Sequence, residues 1–136
     1  MAKKLLTAVA AVLVLDRKIL FSKRKQNKHH GGFWELPGGK IEIYETPESA
    51  LKRELKEELG IIVKEKKLSS FTFISYSYKK FHLLMPIYIC LDWNGSVQPK
   101  EGQDIQWVDW SEMDALSVLP ADKELLPELK KLIRKV

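Results

Sequence analysis

The chain has 136 residues, of which 45% are hydrophobic, so it is long enough for one globular domain with a substantial core. Its single cysteine, Cys90, excludes an internal disulfide framework and favours a reducing compartment. The net charge of +5 is uneven, because residues 1–30 carry +7 and the remaining residues carry −2. Basic residues are not interleaved with aromatic ones, so we expect no stable complex with nucleic acid. Alternatively, the basic N-terminal residues could face the phosphate groups of a substrate bound at an otherwise acidic metal site.

The N-terminal segment contains an apolar run that begins after two lysines, as in a signal peptide. The run passes directly into Asp16 without a cleavage region, and it is too short to span a bilayer. Residues 5–15, a turn at residues 16–18 and residues 19–21 instead predict a β-hairpin. We therefore expect a cytoplasmic protein with no membrane segment.

Further strands and one helix are predicted along the rest of the chain. Residues 68–78 and 81–93 are rich in aromatic and β-branched side chains, which predicts two paired strands. Residues 92–101 contain Asn-Gly and proline and are typical of a loop, and residues 105–109 predict a short strand. Residues 122–135 predict one amphipathic helix. The sequence contains no linker, so all 136 residues are expected to form a single domain.

The most informative segment is residues 39–61, GKIEIYETPESALKRELKEELGI. In a helix Glu54, Glu57 and Glu58 lie on one face, because residues three and four apart are neighbours. Three adjacent carboxylates are unfavourable without a cation, and hard divalent cations such as Mg²⁺ take oxygen ligands. The alternative is a solvated charged face, which is common in helices rich in glutamate and lysine.

Flanking residues favour the metal site over the solvated face. Thr46 and Pro47 are suited to begin a helix, and Gly60 is suited to end it. With Gly39 and Glu45 they give the pattern G-x5-E-x7-R-E-L-x-E-E-x-G-I, which has nine specified positions over 23 residues. A chance match to such a pattern is very unlikely.

This pattern resembles the signature of the Nudix hydrolases at every fixed position. The resemblance implies an α/β (α+β) Nudix fold with a mixed β-sheet between helices. It also implies hydrolysis of a nucleoside diphosphate linked to another moiety, with Mg²⁺ or a substitute Mn²⁺ as cofactor. In that family the helix acids bind metal, the backbone carbonyl of Gly38 is a further ligand, and Arg53 orients Glu45.

Over almost its whole length the chain is also similar to the MutT-type branch, which hydrolyses 8-oxo-dGTP to 8-oxo-dGMP and pyrophosphate. The similarity rests on WELPGGKIE, KEGQ and LPAD, at residues 34–42, 100–103 and 119–122. Some of these motifs are shared with branches that act on pyrimidine triphosphates. The similarity implies Glu101 as a further metal ligand, and either Glu54 or Glu101 as general base, with Glu54 favoured.

The same resemblance implies the residues that bind the substrate. Arg24 would contact phosphates and His29 would lie near the nucleotide, although both residue types are ordinary on a surface. The residues expected to line the base and phosphate pocket are Glu35, Leu36, Pro37 and Gly38. Leu5, Thr7, Val9 and Leu83 could wall the base pocket or belong to the core.

Two positions depart from the MutT-type pattern. Leu36 stands where that branch has phenylalanine, and Asp122 stands where its enzyme of nearest sequence has asparagine. An ionised aspartate only accepts hydrogen bonds, whereas asparagine also donates. Asp122 could also be an ordinary helix N-cap.

The sequence predicts a monomeric nucleoside triphosphate pyrophosphohydrolase that acts on 8-oxo-dGTP. A CTP or modified dCTP pyrophosphohydrolase of the same family is the first alternative. A non-catalytic Nudix module that senses nucleotide or binds RNA is the second, although such a module has no need for the complete set of acids.

Overall fold

The computed structural model describes residues 3–135, which form seven strands and three helices. The strands are β1 (Lys4–Leu15), β2 (Lys18–Lys23), β3 (Trp34–Glu35), β4 (Gly38–Lys40), β5 (Ser69–Ser77), β6 (Phe81–Cys90) and β7 (Ile105–Val108). The helices are α1 (Pro47–Leu59), α2 (Pro120–Lys123) and α3 (Leu126–Lys135). Within residues 3–135 no helix is long and apolar enough to cross a membrane.

All seven strands belong to one mixed sheet with β1 in its middle. Along the order β3-β2-β1-β6-β5, only β1 and β6 run parallel, and β4 and β7 pair with β1 and β2. The predicted hairpin at the N-terminus and the predicted pair of strands around Lys79 and Lys80 are both present. The short strands β3 and β4 have no clear signal in the sequence.

From Ala8 to Val14, strand β1 is buried on both faces and separates two hydrophobic cores. Ala10 and Val12 point to one core, which contains Leu129 and Ile133 of α3. Leu13 and other alternate residues of β1 point to the second core, on the α1 side. Because α1 and α3 cover opposite faces, the sheet is sandwiched between helices, as the resemblance implied.

Helix α1 begins and ends where the sequence predicts. The Thr46 hydroxyl accepts a hydrogen bond from the Ser49 N–H at 3.1 Å, which satisfies one free donor of the first turn. Pro47 occupies the first turn, and Gly60 ends the helix in the left-handed conformation at φ 71°. The apolar side of α1 (Ala50, Leu51, Leu55 and Leu59) is fully buried, so the acids on the neighbouring side stand at the edge of the core.

The predicted C-terminal helix over residues 122–135 is wrong as a single element. It is divided into α2 and α3, which are separated at Glu124 and Leu125. Pro127 explains the break, because proline lacks an N–H and its ring clashes with the carbonyl four residues earlier. The break lets α2 turn its own side chains toward β3 and β4 while α3 packs on the sheet.

Candidate active site

Four carboxylates from α1 and the loop before β7 line one cavity of about 490 Å³. Glu54, Glu57 and Glu58 come from one face of α1, and Glu101 comes from the loop. The structure therefore brings together the four acids that the sequence suggested as metal ligands. We refer to these four residues as the acidic end of the cavity.

Arg53 connects the acidic end to the loop before α1. Its Nε lies 2.7 Å and its Nη2 lies 2.8 Å from the two carboxylate oxygens of Glu45. Its Nη1 donates to Glu54 Oε1 at 2.8 Å, so one oxygen of Glu54 is held and the other is left for the cavity. Neither Arg53 nor Glu45 lines the cavity, so their effect on chemistry passes through the residues that Arg53 contacts there, Glu54 at 2.8 Å and Glu57 at 3.5 Å.

These contacts give the acids different pKa values. The hydrogen bonds from Arg53 lower the pKa of Glu45 to about 2. Burial, and then the nearby carboxylates of Glu54, Glu35 and Glu101, raise the pKa of Glu58 to about 8. The pKa of Glu54 is also raised by burial, against the opposing effect of Arg53. A cation is the natural means of keeping Glu58 ionised near neutral pH.

Two glycines let strand β4 lie close to both β1 and α1. A side chain at Gly38 would overlap the backbone of Val9, and a side chain at Gly39 would overlap the carboxylate of Glu54. The Gly38 N–H donates to Glu58 Oε2 at 3.0 Å. Helix acids and strand backbone are therefore packed against each other at the base of the cavity.

The other part of the cavity is apolar and surrounds one buried acid. It is lined by Leu6, Leu36, Tyr78, Phe81, Leu83, Met85 and Leu119, and we call these residues with Asp122 the apolar end. Asp122 is only 2% exposed, and its Oδ2 accepts a hydrogen bond from the Leu36 N–H at 2.9 Å. Burial, and then the charge of Glu35, raise the pKa of Asp122 to about 7.

Asp122 is not a helix N-cap. It is the third residue of α2, and Leu119 occupies the N-cap position. Pro120 begins the helix, so the turn that it starts carries Asp122 toward the loop between β3 and β4. The carboxylate satisfies a backbone N–H of a different segment, and this contact joins residues 86 positions apart.

Arg24, His29 and Glu35 also line the cavity. Arg24 Nη1 lies 3.1 Å from Glu35 Oε1, and its Nε donates to the carbonyl oxygen of His29 at 2.8 Å. The His29 ring meets Tyr78 and Phe81 edge-on, with centroids 5.6 and 5.8 Å away. Burial and then the nearby positive groups lower the pKa of His29.

Three residues that were predicted to line the pocket do not border the cavity: Pro37, Leu5 and Thr7. Pro37 is buried away from the cavity, and its carbonyl oxygen accepts a hydrogen bond from the Ala11 N–H at 2.9 Å. Leu5 is 57% exposed, and neither it nor Thr7 borders the cavity. The prediction chose the wrong face at the start of β1, where a shift of one residue exchanges the two faces of a strand.

Correct alternation on β1 places Leu6, Ala8 and Ala10 at the cavity, and Val9 and Leu83 border it as expected. Tyr78 and Met85 are lining residues that the sequence did not single out. The Tyr78 hydroxyl accepts a hydrogen bond from the Ala121 N–H at 3.2 Å and so fixes α2 beside the cavity. The only signal for these residues was their membership of two aromatic strands.

The acidic end fits a divalent cation that is shared with a substrate. Within residues 3–135 no three acidic, histidine or cysteine side chains are already gathered into a closed cage. Mg²⁺ typically uses one or two carboxylates together with waters and substrate phosphates, so a closed cage is not required. The donors are hard oxygen ligands, and Glu58 among them is buried beside other carboxylates, which raises its pKa.

A mixed sheet between two helices, with a row of helix acids opening onto a cavity, is a setting for metal-dependent chemistry, and the comparison with known proteins identifies the class as a hydrolase that acts on a diphosphate bond. The Nudix domain family matches residues 4–134, and the chain therefore belongs to the Nudix hydrolases. This family depends on a divalent metal.

Individual relatives agree with this assignment. The chain is 34% identical over 130 residues to the 8-oxo-dGTP diphosphatase of Escherichia coli, covering 96% of this chain and 99% of that protein. It is also 34% identical to the CTP pyrophosphohydrolase of E. coli, covering 90% of each. The crystal structure of a MutT Nudix hydrolase from Burkholderia pseudomallei is similar, with a TM-score of 0.83, 25% identity and coverage of 92% and 98%.

Proposed function

We propose that this protein is a Mg²⁺-dependent pyrophosphohydrolase that converts 8-oxo-dGTP to 8-oxo-dGMP and pyrophosphate. The observation that carries the proposal is one cavity with four carboxylates at one end and a buried carboxyl group at the other. Glu35 is close to both ends, since its charge raises the pKa of both Glu58 and Asp122. A nucleotide has the same two parts, a charged triphosphate and a base with directional hydrogen-bonding groups.

At the acidic end, Glu54, Glu57, Glu58 and Glu101, with the Gly38 carbonyl, would hold the metal. Mg²⁺ lowers the pKa of an attacking water and neutralises charge on the leaving group. The oxygen of the water forms a bond to the β-phosphorus, and the bond from that phosphorus to the α–β bridging oxygen breaks. Glu54 would accept the proton at the oxygen that Arg53 does not hold.

Arg24 is suited to contact the phosphates, and His29, packed against Tyr78 and Phe81, is suited to lie beside the nucleotide. At the apolar end, Leu36 and the other apolar side chains exclude water from the base. Asp122 would then recognise the base through its carboxyl group, close to Glu35.

The pKa of Asp122 bears directly on the choice of base. A value of about 7 means that the group exists in both protonation states at neutral pH. The ionised form can accept the hydrogen that 8-oxoguanine carries on N7, and the protonated form can donate to an oxygen such as O6. Aspartate is therefore compatible with an oxidised purine in either protonation state.

A cytosine nucleotide is the second candidate substrate. A carboxylate can accept from the exocyclic amine of cytosine, and the similarity to a CTP pyrophosphohydrolase is comparable in identity to that of the 8-oxo-dGTP diphosphatase. Leu36 leaves more room than phenylalanine and adds no aromatic contact to a purine.

Purified protein should be assayed with 8-oxo-dGTP, dGTP, CTP and 5-methyl-dCTP in Mg²⁺, with pyrophosphate release as the measurement. We expect kcat/KM to be highest for 8-oxo-dGTP. Equal or better turnover of the cytosine nucleotides would transfer the assignment to them. Tight nucleotide binding without pyrophosphate release in either Mg²⁺ or Mn²⁺ would make the protein a nucleotide sensor.

We further propose that the protein is a monomer acting on the free nucleotide pool of the cytoplasm, without a stable nucleic-acid partner. Size-exclusion chromatography with light scattering at two concentrations tests the first statement. A mass near twice 15.7 kDa would contradict it.

A further inference from the structure

The loop that carries Glu101 is attached to the C-terminal end of helix α1. The last four carbonyl groups of a helix have no partner within the helix, so other segments must supply donors. Here the N–H of Gln98 donates to the Leu59 carbonyl at 3.0 Å, and the N–H of Lys100 donates to the Glu58 carbonyl at 2.9 Å. The loop therefore closes the end of the helix that supplies three of the four acids.

Gln103 makes a second and more direct connection to Glu101. Its Oε1 accepts a hydrogen bond from the Glu101 N–H at 3.0 Å, and its Nε2 donates to the Glu58 carbonyl at 3.1 Å. One side-chain amide thus joins the backbone of two acids that lie 43 positions apart. The glutamine amide can make both bonds at once, because it carries an acceptor oxygen and a donor nitrogen on separate atoms.

The environment of Gln103 also distinguishes it from ordinary loop residues. It is 8% exposed and is one of three buried polar or charged residues in residues 3–135, together with Ser22 and Asp122. Glu101 itself is exposed on the loop, where Gly102 adopts the left-handed conformation at φ 74°. The Glu101 side chain is exposed on a turn, so its position depends on how its backbone is held. The buried amide of Gln103 is bonded directly to the Glu101 N–H, next to the bond from the Lys100 N–H to helix α1.

We propose that Gln103 is a positioning residue that holds Glu101 against helix α1, so that the fourth carboxylate reaches the metal and phosphates. This inference rests on the proposed role of Glu101 in the function above. Gln103 does not line the cavity, so it acts through Glu101, with the backbone carbonyl of Glu58 as its anchor, and does not touch the substrate.

The decisive substitution is Gln103→Met, which keeps the length of the side chain and removes both hydrogen bonds. We expect Mn²⁺ affinity, measured by electron paramagnetic resonance of free Mn²⁺, to fall about tenfold, the loss typical of a buried hydrogen-bonded group left unpaired. We expect kcat to fall by a similar factor. Gln98→Met is the matched control, because Gln98 belongs to the same loop but its side chain is exposed.

A double-mutant cycle separates positioning from a general structural effect. In a Glu101→Gln background, Gln103→Met should change Mn²⁺ affinity and kcat by less than about twofold, because residues that act as a unit are not additive. A full loss in both backgrounds, or no loss in the wild-type background, would overturn the proposal. If Gln103→Met does not fold, Gln103→Asn is used in its place, since an amide one methylene shorter cannot span both partners.

The two proposals fail in different ways. If wild-type protein hydrolyses nucleotides and Gln103→Met matches it, only the positioning role is wrong. If wild-type protein binds Mn²⁺ but hydrolyses no nucleotide, the proposed function is wrong, and the Mn²⁺ affinities still test Gln103. Wild-type protein that binds no Mn²⁺ would overturn the proposal, because Glu101 would then have no metal to reach.

Discussion

The two ends of the cavity are built in different ways. The acidic end takes three of its four carboxylates from a single face of α1, within five residues of sequence. The apolar end collects side chains from β1, the segment between β3 and β4, the hairpin of β5 and β6, and α2. The residues proposed for metal binding and catalysis can therefore be supplied largely by one helix. Selectivity for the base depends instead on how several elements pack together.

Each end also contains one buried carboxyl group, and the two groups have different surroundings. Glu58 is crowded by other acids and is suited to a cation. Asp122 has one backbone donor, apolar side chains around it and the charge of Glu35 nearby, so it is suited to a base that forms directional hydrogen bonds. Substitutions at the acidic end should change the rate for every nucleotide, and substitutions at the apolar end should change their ranking.

The largest expected effect is that of Glu54→Gln. Loss of the proton acceptor and of one metal ligand should lower kcat by roughly 10²- to 10⁴-fold for all nucleotides, while nucleotide binding persists. Pyrophosphate release and calorimetric binding measure the two quantities. Glu128→Gln, at an exposed glutamate of α3, is the control and should behave as wild type. Normal turnover in Glu54→Gln would leave Glu101 as the candidate base.

We expect Asp122→Asn to change the order of preference among nucleotides more than it changes the rate with a good substrate. Asparagine keeps an acceptor for the Leu36 N–H but cannot ionise, so the ratio of kcat/KM between 8-oxo-dGTP and CTP should change about 10- to 100-fold. The four-nucleotide panel measures this ratio. An unchanged ranking would remove Asp122 from recognition of the base.

The same substitution should alter how stability depends on pH. Between about pH 4 and pH 7 the unfolded chain has an ionised Asp122, whereas the folded protein keeps the proton because its pKa is about 7. The folded state binds more protons in this window, so its stability falls as pH rises, by at most about 1.4 kcal/mol per unit from this group. Asp122→Asn should therefore gain stability relative to wild type from pH 4 to pH 7.

Urea unfolding at pH 5, 6, 7 and 8 measures this gain. Asp16→Asn, at an exposed turn residue, is the matched control and should keep the wild-type slope. A constant difference between Asp122→Asn and wild type at all four pH values would contradict the raised pKa.

The smallest expected effect is that of Thr46→Ala, which removes the N-cap of α1. Loss of the hydrogen bond to the Ser49 N–H should cost about 1 kcal/mol and lower Tm by a few degrees, with the nucleotide ranking unchanged. Thermal unfolding and the same nucleotide panel check both statements. Ser96→Ala removes an exposed loop hydroxyl and serves as the control. A changed ranking would show that the two ends are coupled through α1.

Local patterns predicted the elements with regular periodicity. The hairpin of β1 and β2, the pair of β5 and β6, and both ends of α1 follow from alternation, turn residues and capping residues. The face presented by the first residues of β1 did not follow, because both faces of that strand are apolar and alternation cannot tell them apart. Pro127 is a local signal for the break in the C-terminal helix. The prediction missed it because the amphipathic pattern continues across this proline.

By itself, the sequence determined the arrangement of Glu54, Glu57 and Glu58, because neighbours on one helix face are fixed by spacing alone. Only the tertiary structure decided the surroundings of Asp122, which depend on contacts with Leu36 and Glu35 more than eighty residues away. The same holds for Gln103, whose two partners belong to different segments. Burial and long-range hydrogen bonds set the pKa and position of these groups, and neither property is encoded in local spacing.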